Sequence, residues 1–164
     1  MRNILTAAVL CLALSSHAQD QSASFQIKVL TPETALAAAQ AALASCRGKG
    51  YQVGVAVVDR SGLTQVFLRD RFAGAHTLDV ATNKAWTAAS FRTSTLELAV
   101  ESQPGRPMSG IRSTPRMLAV GGGVVIEGGG SIYGAIGVSG APGGEADDAC
   151  ARAGIKAISE KIEF

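Results

Sequence analysis

Apolar positions along this chain first fall into a three-and-four spacing. From residue 31 to residue 47, Leu36, Ala39, Leu43 and Cys46 recur on one helical face, which predicts an amphipathic helix in an alanine-rich segment. Thr31 is suited to cap that helix and Pro32 to open it, and Gly48 and Gly50 end it. The period then changes to two. Val53, Val55 and Val57 share one face of a strand over residues 51–59, and Arg60-Ser61-Gly62 turns the chain into a second strand over 63–69. Helical spacing returns in TLDVATNKAWTAASF and again in the capped segment STLELAVES. Residues 103–115, punctuated by Pro104, Gly105, Pro107, Gly110 and Pro115, read as an irregular surface loop. From Met117 a second hairpin is predicted, MLAVGGGVVIE against SIYGAIGVSG with Gly128-Gly129-Gly130 between them, followed by an acidic last helix.

The strand over residues 131–139 has an unusual composition. Strict alternation puts Ile132, Gly134, Ile136 and Val138 on one face and Tyr133, Ala135, Gly137 and Ser139 on the other, so one face carries bulk and the other is nearly flat. A flat face of small residues marks close approach by a packed helix, a neighbouring subunit or a planar ligand. The glycines that follow do not form a phosphate loop. Neither dinucleotide nor P-loop spacing can be laid on them, and Glu145, Asp147 and Asp148 at the start of the last helix would repel a phosphate there.

The beginning of the chain changes the cellular setting. Arg2, the apolar run over residues 4–14 and Ser16-His17-Ala18 have the three parts of a secretory signal, with cleavage expected after Ala18. The run is too short for a membrane span, and Cys11 lies inside it instead of at its end as a lipoprotein anchor would require. The expected organisation is a signal peptide (1–18), a leader or short strand (19–30) and one domain (31–164), exported to the periplasm or the medium. Without Arg2 the remaining 14 basic residues nearly balance the 13 acidic ones, which gives no support to nucleic-acid binding. Export permits disulfides, and the mature chain keeps Cys46 and Cys150. Cys150 lies with Ala146, Ala149, Ala153 and Ala157 on the inner stripe of the last helix, so both cysteines face inward. Either they are bridged or they are two buried thiols that never meet.

Taken in order, VAVVDRSG, NKAWTAASF, QPG, GGGVVI and YGAIGVSGAPGGEADDACARAG resemble the GlcG/HbpS-like family of haem-binding proteins, which includes the C-terminal domain of PduO-type corrinoid adenosyltransferases. The resemblance covers the chain from about Thr31 onward. It implies an α+β fold, a five-stranded antiparallel sheet flanked by helices as in profilin and roadblock proteins, and a homo-oligomer. It further implies haem or a related tetrapyrrole as ligand, in iron or redox sensing or haem degradation. Relatives that accompany glycolate or diol metabolism imply an alternative, an accessory protein or enzyme for small hydroxy acids or diols. Lys84 and the glycines Gly122, Gly123, Gly137 and Gly140 match the family pattern. The loop after the second strand departs from it, with Asp70-Arg71-Phe72 following Arg69.

His76 is the one imidazole left after residue 18, which makes it the candidate ligand for haem iron, ahead of Tyr51, Tyr133, Met108, Met117 or a free cysteine. Propionates need cations, and Arg69 by position and Lys84 by motif are the candidates. Lys84 could equally be spent on an ion pair with Asp79 or Asp59. GVSGA falls one residue short of a nucleophile elbow, and one histidine with two distant cysteines has no zinc-ligand spacing.

Overall fold

The computed structural model describes residues 22–163. The predicted signal peptide lies outside them.

Helix α1 (Pro32–Gly48) starts as its sequence dictates: the Thr31 hydroxyl accepts the Thr34 N–H at 3.3 Å and Pro32 occupies the first turn, where its missing N–H costs nothing. Its buried face is Ala35, Ala38, Ala39, Ala42 and Cys46, rotated from the predicted stripe, and Leu36 is exposed. The reason is the neighbour. α1 packs on the last long helix so closely that a Cβ on Gly154 would sit 2.6 Å from the Ala38 carbonyl oxygen and 3.0 Å from the Ala42 Cβ. Only small side chains fit such a seam, so alanines face inward and the leucines are displaced to its flanks.

Strands β1 (Gly54–Asp59) and β2 (Thr64–Arg69) form the first hairpin, and β3 (Gly123–Gly128) and β4 (Ser131–Ser139) the second. β1 also pairs with β4, from Gly54↔Ser139 to Asp59↔Gly134, so the sheet runs β2-β1-β4-β3 with every pair antiparallel. The sheet has four strands among the described residues, where the resemblance implied five. Met117 and Ala119, predicted to open a strand, instead pack on Leu98 in a small separate cluster, and pairing begins only at Gly123. Residues 25–30 form neither helix nor strand and are exposed except for Leu30, whose carbonyl accepts the Gln65 amide.

Both faces of the sheet are covered. Val53, Val55, Val57, Ile126, Ile136 and Val138 pack under α1 and α4 (Gly144–Lys156), while Ala56, Val58 and Ala135 pack under α2 (Thr77–Phe91) through Ala81, Ala85 and Ala88. The flat face of β4 is thereby explained. A Cβ on Gly137 would collide with the Ala81 carbonyl oxygen and lie 2.7 Å from the Ala85 nitrogen, so the approaching group is α2 of the same chain, not a second subunit or a ligand. Tyr133 does not share that face as alternation predicts. Ile126 pairs with Gly134 and Glu127 with Ile132, which leaves Tyr133 as an extra residue and turns it into the core of the opposite face.

After α2 comes α3 (Thr95–Glu101), whose start is a reciprocal cap between Ser94 and Glu97. The loop that follows contains a 3-10 turn (Ser109–Ser113), and a short α5 (Ser159–Ile162) ends the described chain. Cys46 and Cys150 are bonded, with Cα atoms 5.5 Å apart, tying α1 to α4 beneath the sheet. No helix among the described residues is long and apolar enough to cross a membrane.

Candidate functional site

At one end of the sheet β1 begins, β4 ends, and α2 and α4 start. The elements diverge there around a cleft of about 700 Å³, within the 300–1,000 Å³ typical of small-molecule sites. One wall is the run Gly140, Ala141, Pro142, Gly143, Gly144. The sides are Phe72, Val80, Leu118 and Val120, with Tyr51 and Gln52 at the entry of β1.

His76 stands at the N-cap of α2 with its side chain exposed and unused in capping, and its ring nitrogens have no protein partner among the described residues. The ring lies over Gly74, where a Cβ would meet Cε1 and Nδ1 at 2.7 Å, so the glycine makes room for the imidazole at the cleft. The loop carrying it is held by Asp70. Arg47 of α1 grips that carboxylate with Nε at 3.0 Å and Nη2 at 2.9 Å, and the Arg71 N–H donates to it at 2.9 Å. The Arg47 hydrogen bonds, aided by the Arg71 N–H, hold the Asp70 carboxyl below the usual aspartate range against the cost of burial. The departure from the family pattern at Asp70-Arg71-Phe72 thus supplies an anchor for the loop.

Lys84 reaches the floor of the cleft but is not a free cation. It is 2% exposed, and Nζ donates to Asp147 Oδ2 at 2.7 Å and to the Val138 carbonyl at 3.0 Å. The ion-pair alternative for Lys84 is the one realised, with Asp147 of α4 in place of Asp79 or Asp59. Burial pushes the Asp147 carboxyl up, opposed by the Lys84 ammonium and by the Ala141 and Gly140 N–H groups.

The glycines divide into two groups. Gly140 lines the cleft. Gly122, at φ +117°, closes over the buried pair, where a Cβ would be 2.7 Å from the Asp147 Cβ; Gly123 lies against the Lys84 backbone and Gly137 against Ala81. These three are seats for α2 and α4 and do not line the cleft. Neither does Arg69, whose Nη1 donates to the Ala73 carbonyl at 3.0 Å and steadies the same loop as Asp70.

Gln52, Asp147 and the Arg47–Asp70 pair are not among the site residues that the sequence suggests. Gln52 lines the cleft at the entry of β1, and its Oε1 is buried without a hydrogen-bond partner. Asp147 is 63 residues from Lys84, and its position in the first turn of α4 reads locally as an ordinary helix-start acid. Among the described residues no three His, Cys, Asp or Glu side chains converge as a metal cluster. The cleft therefore offers apolar sides, a glycine-rich wall and one accessible imidazole.

One antiparallel sheet with helices on both faces places the chain among small α+β domains, and solved structures of that class match it. A double mutant of Streptomyces reticuli HbpS is 36% identical with a TM-score of 0.77, covering 94% of this chain and 99% of its own. A PduOC–haem complex is 30% identical with a TM-score of 0.75, covering 79% and 95%. A 15.0 kDa protein from the dhaT-dhaS intergenic region of Citrobacter freundii is 35% identical over 119 residues, 71% of this chain and 84% of that protein. The chain belongs to the family described as "Haem degrading protein HbpS-like", which matches residues 30–156.

Proposed function

We propose that this protein binds haem or a closely related tetrapyrrole in the cleft between the starts of α2 and α4, with His76 as the iron ligand. The observation that carries this is the unpartnered imidazole of His76, seated over Gly74 beside a cleft with apolar sides. The residues fit the group: Phe72, Val80, Leu118 and Val120 suit a planar apolar macrocycle, and the glycine-rich wall lets backbone approach its face. Carboxylate substituents would be met by Arg71, exposed on the adjoining loop, and by the positive end of α2, while Arg69 is left to hold that loop and the acidic start of α4 offers no anion site. Lys84, already paired, is assigned to hold the floor. Bound haem would supply redox chemistry at its iron; the chain's own residues bind it, orient it and limit its contact with water.

The proposed setting is iron or redox handling, or haem breakdown, outside the cytoplasm, since the resemblance and the N-terminal signal pattern point together. Self-association belongs to the same proposal and rests on the resemblance alone; a monomer in sedimentation at micromolar concentration rejects it.

The test is a haemin titration of the purified mature protein followed at the Soret band. A saturable shift is expected, with a changed band position in His76→Ala. No shift removes the haem function, and an unchanged spectrum in His76→Ala moves the iron ligand elsewhere.

A further inference from the structure

Lys84 and Asp147 form an ion pair that is almost wholly buried, at 2% and 5% side-chain exposure, directly under the cleft. Such a pair is a poor source of stability, because desolvating two charges offsets most of their attraction, and an apolar pair of similar size commonly does as well or better. The hydrogen bonds of Asp147 show another use. One carboxylate oxygen, Oδ2, takes the Lys84 ammonium at 2.7 Å. The other, Oδ1, accepts the Ala141 N–H at 3.0 Å. Lys84 is fixed in turn by the Val138 carbonyl on β4.

Ala141 is the centre of the cleft wall. Beyond the bond to Asp147, the wall is braced by a tight turn from the Gly143 N–H to the Ala141 carbonyl at 2.7 Å. Two glycines and a proline surround it, and Gly140 and Gly143 adopt φ of +127° and +125°. A segment this rich in glycine is expensive to order, so its conformation in the free protein depends on what its few amides are bonded to.

We propose that Asp147, oriented by Lys84, is the positioning residue of the ligand cleft: its carboxylate holds loop 140–143 in place as the wall before any ligand arrives. The inference rests on the reading that the ligand occupies this cleft, and extends it by giving the buried pair a task. The benefit is preorganisation, since a wall already ordered costs no conformational entropy when ligand binds. Lys84 aims the carboxylate, Asp147 holds the loop, and neither needs to touch the ligand.

Two double variants separate this role from charge or direct contact. Both Lys84→Met/Asp147→Leu and Lys84→Met/Asp147→Asn remove the ammonium and the carboxylate charge, but only the asparagine variant keeps an acceptor for the Ala141 N–H. Each is measured by haemin affinity and Soret position, and by hydrogen exchange of the Ala141 amide in ligand-free protein. The leucine variant should bind about three- to tenfold more weakly than the asparagine variant, the loss expected for one neutral hydrogen bond. Its Ala141 amide should exchange faster, and the asparagine variant should restore both readouts.

Equal affinities, or equal Ala141 exchange in the two variants, overturn the proposal. If the leucine variant does not fold, Lys84→Met/Asp147→Ala replaces it in the same comparison. Should the unaltered protein fail to bind haemin, the ligand reading falls, while amide exchange still decides whether Asp147 orders the wall.

Discussion

The bridge between Cys46 and Cys150 allows the most quantitative prediction. It closes a loop of 104 residues, nearly the whole distance from α1 to α4, and both cysteines are fully buried. In the chain-entropy account the unfolded chain loses about 2.1 plus 1.5R ln n cal/mol/K on cross-linking, which for this n is about 16 cal/mol/K, or about 4.7 kcal/mol at 25 °C. Residual structure in the unfolded chain lowers that figure, and truncating two buried side chains adds about 1 kcal/mol each. Cys46→Ala/Cys150→Ala should therefore be less stable than the oxidised protein by about 3 to 6 kcal/mol. The assay is urea unfolding followed by far-UV circular dichroism. If the bridge acts through the unfolded chain, the slope of free energy against urea must also rise in the variant, because the unlinked chain exposes more surface. A loss below about 1 kcal/mol with an unchanged slope would refute the reasoning. Two free thiols by mass spectrometry of the unaltered protein under non-reducing conditions would refute the bridge itself.

Gly137→Ala should cost about 1 to 3 kcal/mol and lower the melting temperature, because the new methyl group meets the Ala81 carbonyl and pushes α2 off the sheet; an unaltered melt would mean that α2 does not seat there. Asp70 has its folded-state pKa lowered by Arg47, so the stability it contributes is present above the ordinary aspartate range and is lost as pH falls through the depressed value. Urea unfolding between about pH 5 and pH 2 should show that loss, and Arg47→Met should flatten it. Ser94→Ala should cost about 1 kcal/mol in the same assay, since it removes the hydroxyl that accepts the Glu97 N–H in the capping box.

Local signals carried most of the elements. The limits of α2 and β4 follow the predicted segments, because helical spacing marks the first and the glycine triplet the start of the second. The errors arose where a distant neighbour decides. The stripe of α1 was misphased because leucine outweighs alanine in any periodicity argument, while the seam against Gly154 admits only alanine. The strand expected from Met117 begins at Gly123 because Met117 and Ala119 serve the cluster around Leu98. Tyr133 was placed on the wrong face because one extra residue in β4 reverses the parity of everything before it. At the site, His76 and Gly140 were legible from residue type and motif. Asp147 was not, since its partner lies on another helix and no spacing connects α2 to α4.

The polarity of β4 has a practical consequence. The strand leaves the Gly129–Gly130 turn at one end and delivers Ser139 and Gly140 to the cleft at the other, about 26 Å away for eight steps of roughly 3.3 Å. α5 belongs to the turn end, where the Tyr133 hydroxyl donates to the Ile162 carbonyl at 3.3 Å and Gly128 packs against the same residue. A surface coupling, fluorescent label or fusion attached beyond Ile162, or inserted at the exposed turn, would point away from the cleft. The protein can thus be immobilised by its back with its ligand entrance facing solution.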